Sequence, residues 1–374
     1  DILGFVDRGS YSTLTCYPGK ELTNNYSLNT VDICPVGALT STDFRFKMRV
    51  WFLKRTPSIC TESSVGVNTT VWSREGKIYR ITPRDNDAVN DSWMADSGRE
   101  IYKQVEAESR LMRYEVHGNK VSLEDALECA REHCEAAPQV AYVVSARMSL
   151  EEHYAFNQLV SAKPGPVYAP SHIGRGDGFL ISEDRTPNVR GLLVSGLMAT
   201  MPVADLTELA EKIRAGEIKT LIVCNEDLAA VGLTEAELKK VHIIYLGTHE
   251  TATSACAEVV LPTLMAFEKS GSFVNQQFRL QKFSQAIPGP AGIMTDTLLI
   301  GRLTHVLSGK AGNAAGVPEL WQSMSAQIPV LAGISYASIP AEGLQLEAAA
   351  WKHLKFPEGK TLHYNPVSEP STNA

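Results

Sequence analysis

Between Val203 and Pro262 the chain alternates helix and strand in a way that leaves few architectures open. VADLTELAEKIRAG reads as a helix stopping at Gly216, KTLIVCN (219–225) as a strand, TEAELKK (234–240) as a helix, VHIIYLG (241–247) as a second strand and AEVVLP (257–262) as a third. Apolar strands separated by helices require parallel crossovers, which are right-handed. The pattern predicts an α/β fold, a doubly wound parallel sheet with helices on both faces. Upstream, QVAYVVS (139–145) reads as a further buried strand. SLEEHYAFNQLVSA follows as a helix, with Ser149 as N-cap and Glu152 at the third position completing a capping box.

Residues 1 to about 105 follow another grammar. Turn residues dominate, strand candidates are short (NTTVW, KIYRITP), and REGK reads as a turn closing a hairpin. At 374 residues the chain is too long for one ordinary core. A small, irregular β-rich region therefore precedes the larger α/β domain. The C-terminal EGKTLHYNPVSEPSTNA is polar and contains proline, and is expected to lie loosely on the surface.

Bulk properties exclude several functions. A net charge of −7 gives no general reason to hold nucleic acid or an anionic membrane. No run approaches the roughly 20 apolar residues that span a bilayer, so membrane contact is expected only through partners. DILGFVDRGS has no signal-peptide pattern, and the gene product is expected to extend upstream of Asp1. The seven cysteines, at 16, 34, 60, 129, 134, 224 and 256, are odd in number and widely spread, which suggests a reducing compartment rather than a disulfide framework.

The strongest chemical signal is VDICPVGALTS (31–41). Proline after a cysteine fixes the chain as it leaves a thiolate, and Gly37 permits a tight turn beside a cluster. A buried free thiol in a turn is the alternative reading. A cluster needs about four ligands, and no CxxC accompanies Cys34. Other candidates are weaker. Cys129 and Cys134 stand about 140° apart on a helix and do not share a face, and His133 between them reads as a surface or partly buried helix residue. HIGRGDGF lacks the context of a dinucleotide fingerprint and reads as a loop. His249 and Cys256 lack a third ligand, and Cys16 and Cys224 read as ordinary thiols.

VDICPVGALTSTDFRFKMRVW, with GFVDRGSYSTLTCYPGKELTNNYSLN before it, resembles the large iron–sulfur subunit (the G subunit) of respiratory complex I, NADH:quinone oxidoreductase, within the molybdopterin oxidoreductase superfamily. The resemblance implies that Cys34 is the fourth ligand of a [4Fe–4S] cluster, the other three and a [2Fe–2S] ferredoxin domain lying upstream. It implies electron transfer from NADH and flavin toward quinone, in an assembly with a flavin/NADH-binding subunit, a 2Fe–2S subunit, and ferredoxin-like and quinone-site subunits. The expected location is the peripheral arm, on the bacterial cytoplasmic or mitochondrial matrix side.

SICTESSVGVNTTVW (58–72) resembles the start of a further cluster box, C-x2-C-x3-C with a fourth cysteine about 27 residues on. Its ligand positions fall on Cys60, Ser63, Val67 and Ala95, so three of four ligands are missing and no cluster is expected. Gly66, IYRITPRDNDAVN and WMADSGR (93–99) match what surrounds such a box. AEVVLPTLMAFEKSGSFVNQQFRLQ (257–281) resembles a superfamily pattern through Glu268, Gly271, Asn275, Arg279 and Gln281, and DGFLISEDRTPNVRG (177–191) resembles complex I rather than formate dehydrogenases. A structural loop without a molybdenum cofactor is expected there. A formate dehydrogenase-like molybdenum or tungsten enzyme is the alternative, weakened because no cysteine occurs between Cys134 and Cys224. The implied division is 1–54, a remnant of the iron–sulfur region with histidine and cysteine ligands; 55–108, a degenerate [4Fe–4S] domain; 109–345, the molybdopterin oxidoreductase-like domain; and 346–374, a tail.

Overall fold

The computed structural model describes residues 2–309 and 316–366. The N-terminal segment contributes a small hairpin, β1 (Leu3–Val6) with β2 (Thr13–Cys16), and one short helix, α1 (Asn29–Asp32). A three-stranded antiparallel sheet follows, β3 (Lys54–Ile59), β4 (Asn68–Arg74) and β5 (Lys77–Pro83). The β4–β5 turn falls at Glu75–Gly76, inside the REGK turn read from sequence. Helix α2 (Asp96–Glu100) closes this region.

The larger domain begins with the tight hairpin β6 (Glu115–Val116) and β7 (Asn119–Lys120) and the amphipathic helix α3 (Leu123–Ala136). Strand β8 (Val140–Val143), helix α4 (Leu150–Ala162) and strand β9 (Val167–Tyr168) make the first crossover. Helix α5 (Val189–Val194), helix α6 (Thr207–Ala215), strand β10 (Thr220–Cys224), helix α7 (Glu235–Leu238), strand β11 (His242–Gly247), helix α8 (Ala252–Ala255) and strand β12 (Val259–Pro262) continue the winding. The sheet order is β7-β6-β12-β11-β10-β8-β9, parallel from β12 to β9. Winding runs outward from β8 in both directions, the doubly wound topology expected from the alternation. Only the β6–β7 hairpin adds antiparallel strands at one edge.

Side-chain alternation divides the core between the two faces. Tyr142, Ile222 and Ile244 face one apolar cluster under α3, α4 and α9 (Asp296–Ser308), while Val143, Val223 and Ile243 face the other, under α6 and α7. The predicted Ser149/Glu152 capping box forms, and Gly216 ends α6 in the left-handed conformation. Glu152 also pairs with the buried Lys269 (2.6 Å), which pairs in turn with Asp296. Strands β13 (Gly271–Val274), β14 (Arg279–Phe283) and β15 (Leu344–Gln345) form a second small sheet, and α10 (Val317–Gln327) packs nearby against α4.

The tail departs from expectation. Within EGKTLHYNP, Glu358 and Thr361 are buried. Glu358 pairs with the buried guanidinium of Arg190, and Thr361 Oγ1 accepts a hydrogen bond from Gln276 (2.6 Å). Polar composition implied exposure, but a polar group tolerates burial once it has a charged or hydrogen-bonding partner. The rest of the tail, 367–374, lies outside the described residues. Among the described residues no helix is long and apolar enough to cross a membrane.

Candidate functional site

Cys34 follows α1 by one residue and enters a turn in which the Gly37 N–H donates to its carbonyl (3.4 Å) and Gly37 takes φ 64°. The backbone amides of Leu39, Ala38, Val36 and Gly37 lower the thiol pKa, with the Leu39 amide contributing most. Several N–H donors converging on one sulfur favour the thiolate, the form that ligates metal. The group fits one place in a cluster's ligand set, and further ligands must come from elsewhere. Beside Cys34 opens a groove of about 860 Å³, walled by Phe44, Trp51, Trp72, Arg80 and Arg99 among others.

The short helix carrying this turn is tied down from below. Asn29 Oδ1 accepts from the Met94 N–H (3.0 Å) and from Arg99 (3.0 Å), while its amide donates to the Met94 carbonyl (2.8 Å). Arg99 also pairs with Asp32 (2.6 Å), and Asp96 accepts the Leu28 N–H (3.1 Å). WMADSGR thus anchors the cysteine-bearing turn, although the cysteine expected within that motif is replaced by Ala95.

The four positions of the degenerate box do meet in space. Cys60, Ser63, Val67 and Ala95 are all buried and, with Glu62, Gly66, Met94 and Leu180, line one void of about 10 Å³. That volume is at the lower limit for a single water. Val67, Met94 and Leu180 join Cys60 in an apolar cluster with Val71, Ile81 and Phe267. Burial, then the carboxylate of Glu62, pushes the Cys60 thiol up to about 12. A neutral thiol in a filled space does not fit an iron cluster.

What holds the ligand loop comes from far along the chain. Asn275 donates to the Val65 carbonyl (3.0 Å), and Gln281 donates to the carbonyl of Gly66 (2.9 Å) and to Asn68 (2.7 Å). The Gln276 N–H bonds the Ser64 carbonyl (2.8 Å), and the Ser64 N–H bonds the carbonyl of Asp184 (3.0 Å). Gly66 has φ 68°, and a Cβ there would stand 2.4 Å from Gln281 Oε1. Only glycine meets both requirements. Of the other superfamily positions, Glu268 pairs with buried Arg110, Gly271 opens β13 against the ring of Phe283, and Arg279 reaches the Gly343 carbonyl (3.2 Å). The roles of Asn29, Arg99 and Gln276 had no signal in the sequence, because each partner lies many residues away.

Comparison with known proteins agrees with this arrangement. Residues 186–304 match the molybdopterin oxidoreductase family. Residues 1–40 match the ferredoxin-like domain of NADH-quinone oxidoreductase subunit 3, and residues 53–103 the NADH-ubiquinone oxidoreductase NDSU1/NuoG-like 4Fe-4S domain. The chain thus combines an α/β region similar to molybdopterin oxidoreductases with preceding segments similar to iron–sulfur domains. More particularly, it resembles the large iron–sulfur subunit of NADH:quinone oxidoreductase. It is 42% identical over 100 residues to the G subunit of the NADH-quinone oxidoreductase of Rickettsia prowazekii, covering 27% of this chain and 15% of that protein. It is 44% identical over 100 residues to the mitochondrial NADH dehydrogenase [ubiquinone] iron-sulfur protein 1 of Solanum tuberosum, covering 27% of this chain and 14% of that one. A longer alignment with the corresponding G subunit of Rickettsia felis is 25% identical over 265 residues and covers 66% of this chain and 39% of that protein. The chain therefore spans less than half the length of these relatives.

Proposed function

We propose that this chain is part of the large subunit of an NADH:quinone oxidoreductase, with Cys34 ligating one iron of a [4Fe–4S] cluster. The observation that carries the reading is the placement of Cys34 beside the groove, on a Gly37 turn anchored through Asn29 and Arg99. A cluster held there supplies one-electron transfer, and hydrogen bonds to the ligating sulfur tune its potential. The chain's own residues fix the thiolate in place and provide the aromatic and cationic groove beside it. On this reading the described residues hold no complete active site. NADH oxidation at flavin and quinone reduction fall to partner subunits, with a [2Fe–2S] cluster on sequence before Asp1 and membrane contact made through the assembly. The domain limits 1–54, 55–108 and 109–345 follow the same reading, the α/β domain acting as a scaffold.

Electron paramagnetic resonance and iron analysis of the reduced full-length subunit test this. Cys34→Ser is expected to remove or strongly weaken one [4Fe–4S] signal, whereas Cys60→Ala leaves iron content unchanged. An unaltered spectrum in Cys34→Ser, or stoichiometric molybdenum or tungsten in the purified protein, overturns it.

A further inference from the structure

At the sheet edge formed by the β6–β7 hairpin, three metal-competent side chains converge. His117, Cys129 and His133 place one ligand atom each within 4.8 Å of one another. We propose that they form a binding site for a divalent late transition ion, zinc above all, which pins the β6–β7 hairpin to α3.

Each ligand has its own structural reason for its position. Cys129 and His133 are four residues apart on α3 and share a face. His117 and Gly118 form the two-residue β6–β7 turn, with φ 49° and 75°. Both central residues at positive φ define the type I′ hairpin, and histidine is among the few side chains enriched in that conformation. Val116 pairs with Val259 of β12, and the His117 N–H donates to the Glu258 carbonyl (2.7 Å), so the turn is held by the sheet rather than waving beside it.

The chemistry of the donors fits. Two imidazoles and one thiol make a His₂Cys set, suited to tetrahedral zinc with water in the fourth position. Among the described residues none of the three side chains makes a hydrogen bond, so their lone pairs are uncommitted. Around an ion with bonds of about 2.0–2.3 Å the ligand atoms would stand roughly 3.3–3.8 Å apart, so closure by side-chain rotation suffices. Cys129 and His133 are partly buried and His117 is exposed, which leaves the ion a route in from solvent. The His133 ring stacks on His242 (centroids 4.2 Å apart), which is hydrogen-bonded to Glu258 (3.0 Å) and so braces the ligand. Burial, then the charges of Glu132 and Glu258, raises the pKa of Cys129 in the metal-free protein, and the same two carboxylates favour a cation there. Binding converts the thiol to a zinc-bound thiolate and releases one proton to solvent.

Cobalt(II) serves as the spectroscopic probe, added to the whole chain after chelator treatment, and zinc as its competitor. One equivalent is expected to give tetrahedral d–d bands and a thiolate-to-cobalt charge-transfer band, both displaced by zinc, and zinc is expected to raise the melting temperature. Cys129→Ser should abolish the charge-transfer band while Cys16→Ser retains it. His117→Asn, which keeps a side chain that tolerates positive φ in this exposed turn, should weaken binding by at least about tenfold. Absence of stoichiometric binding, or a charge-transfer band and affinity unchanged in Cys129→Ser and His117→Asn, overturns the assignment.

Discussion

Residues 1–52 and 53–103 are neighbouring segments that both carry matches to iron–sulfur-type domains, yet they are built on opposite terms. The first keeps a cysteine with its sulfur surrounded by amides, while large apolar side chains around it face solvent; Phe46 is 92% exposed and Val36 81%. The second has a single thiol among the four positions expected from the resemblance, yet Cys60, Ser63, Val67 and Ala95 are buried and tightly packed. A ligand residue and the architecture around it therefore depend on different things. The box keeps its shape without thiolates because Val67, Met94 and Leu180 fill it and because Asn275, Gln276 and Gln281 hydrogen-bond its backbone. Nothing comparable covers Cys34 among the described residues, and its turn is held from one side only.

The sharpest way to break the contrast is at Gly66. Gly66→Val imposes a β-branched side chain at φ 68° and an overlap with Gln281, and should destabilise the protein by about 4 kcal/mol in denaturant unfolding. A near-neutral result would show that the clamp does not determine the loop.

Next comes pH. Asp184, whose carbonyl receives the Ser64 N–H, is buried, and desolvation pushes its carboxyl up to about 6. Between the unfolded value near 3.8 and that folded value the native state binds the extra proton. This contribution is therefore fully present below about pH 4 and is lost as pH rises through 6, by about 3 kcal/mol. Asp184→Asn preserves the acceptor for Thr186 and should flatten this part of the stability profile; an unchanged slope refutes the assignment.

Arg99→Met tests the link between the two segments. Removing the guanidinium leaves Asp32 and Asn29 without their shared donor, for about 2 kcal/mol, less than for a fully buried pair because Asp32 is partly solvated. Limited proteolysis should then cut within residues 1–52 sooner, with the β3–β5 sheet still protected. Cleavage in both segments together would mean they form one cooperative unit. The smallest effect is expected from Cys60→Ala, about 1 kcal/mol from a slightly enlarged void, read from the melting curve.

Much of the α/β domain was legible in the chain. Strands β8, β10, β11 and β12, the Ser149/Glu152 capping box and the Gly216 stop all rest on patterns within a few residues, which hydrophobic periodicity and capping chemistry expose directly. The candidate thiolate at Cys34 was legible for the same reason, since proline and glycine shape its turn locally. The clamp was not. Gly66 and Gln281 are 215 residues apart, and no local pattern pairs them. The C-terminal Glu358 misled because its polarity is cancelled by a buried arginine 168 residues away. The relation between Cys129 and His133 was readable as one helix turn, whereas their proximity to His117 depended on where the β6–β7 hairpin joins the sheet.

The sequence by itself determined which segments become strand or helix, and where thiols, histidines and strained glycines stand, because those choices rest on interactions between near neighbours. Tertiary structure alone decided that Cys60 is a protonated thiol in a filled core, and that the turn carrying Cys34 lies beside an open groove. The difference is one of solvent and packing: the amides that act on Cys34 belong to its own turn, whereas the desolvation of Cys60 exists only once distant parts of the chain have closed around it.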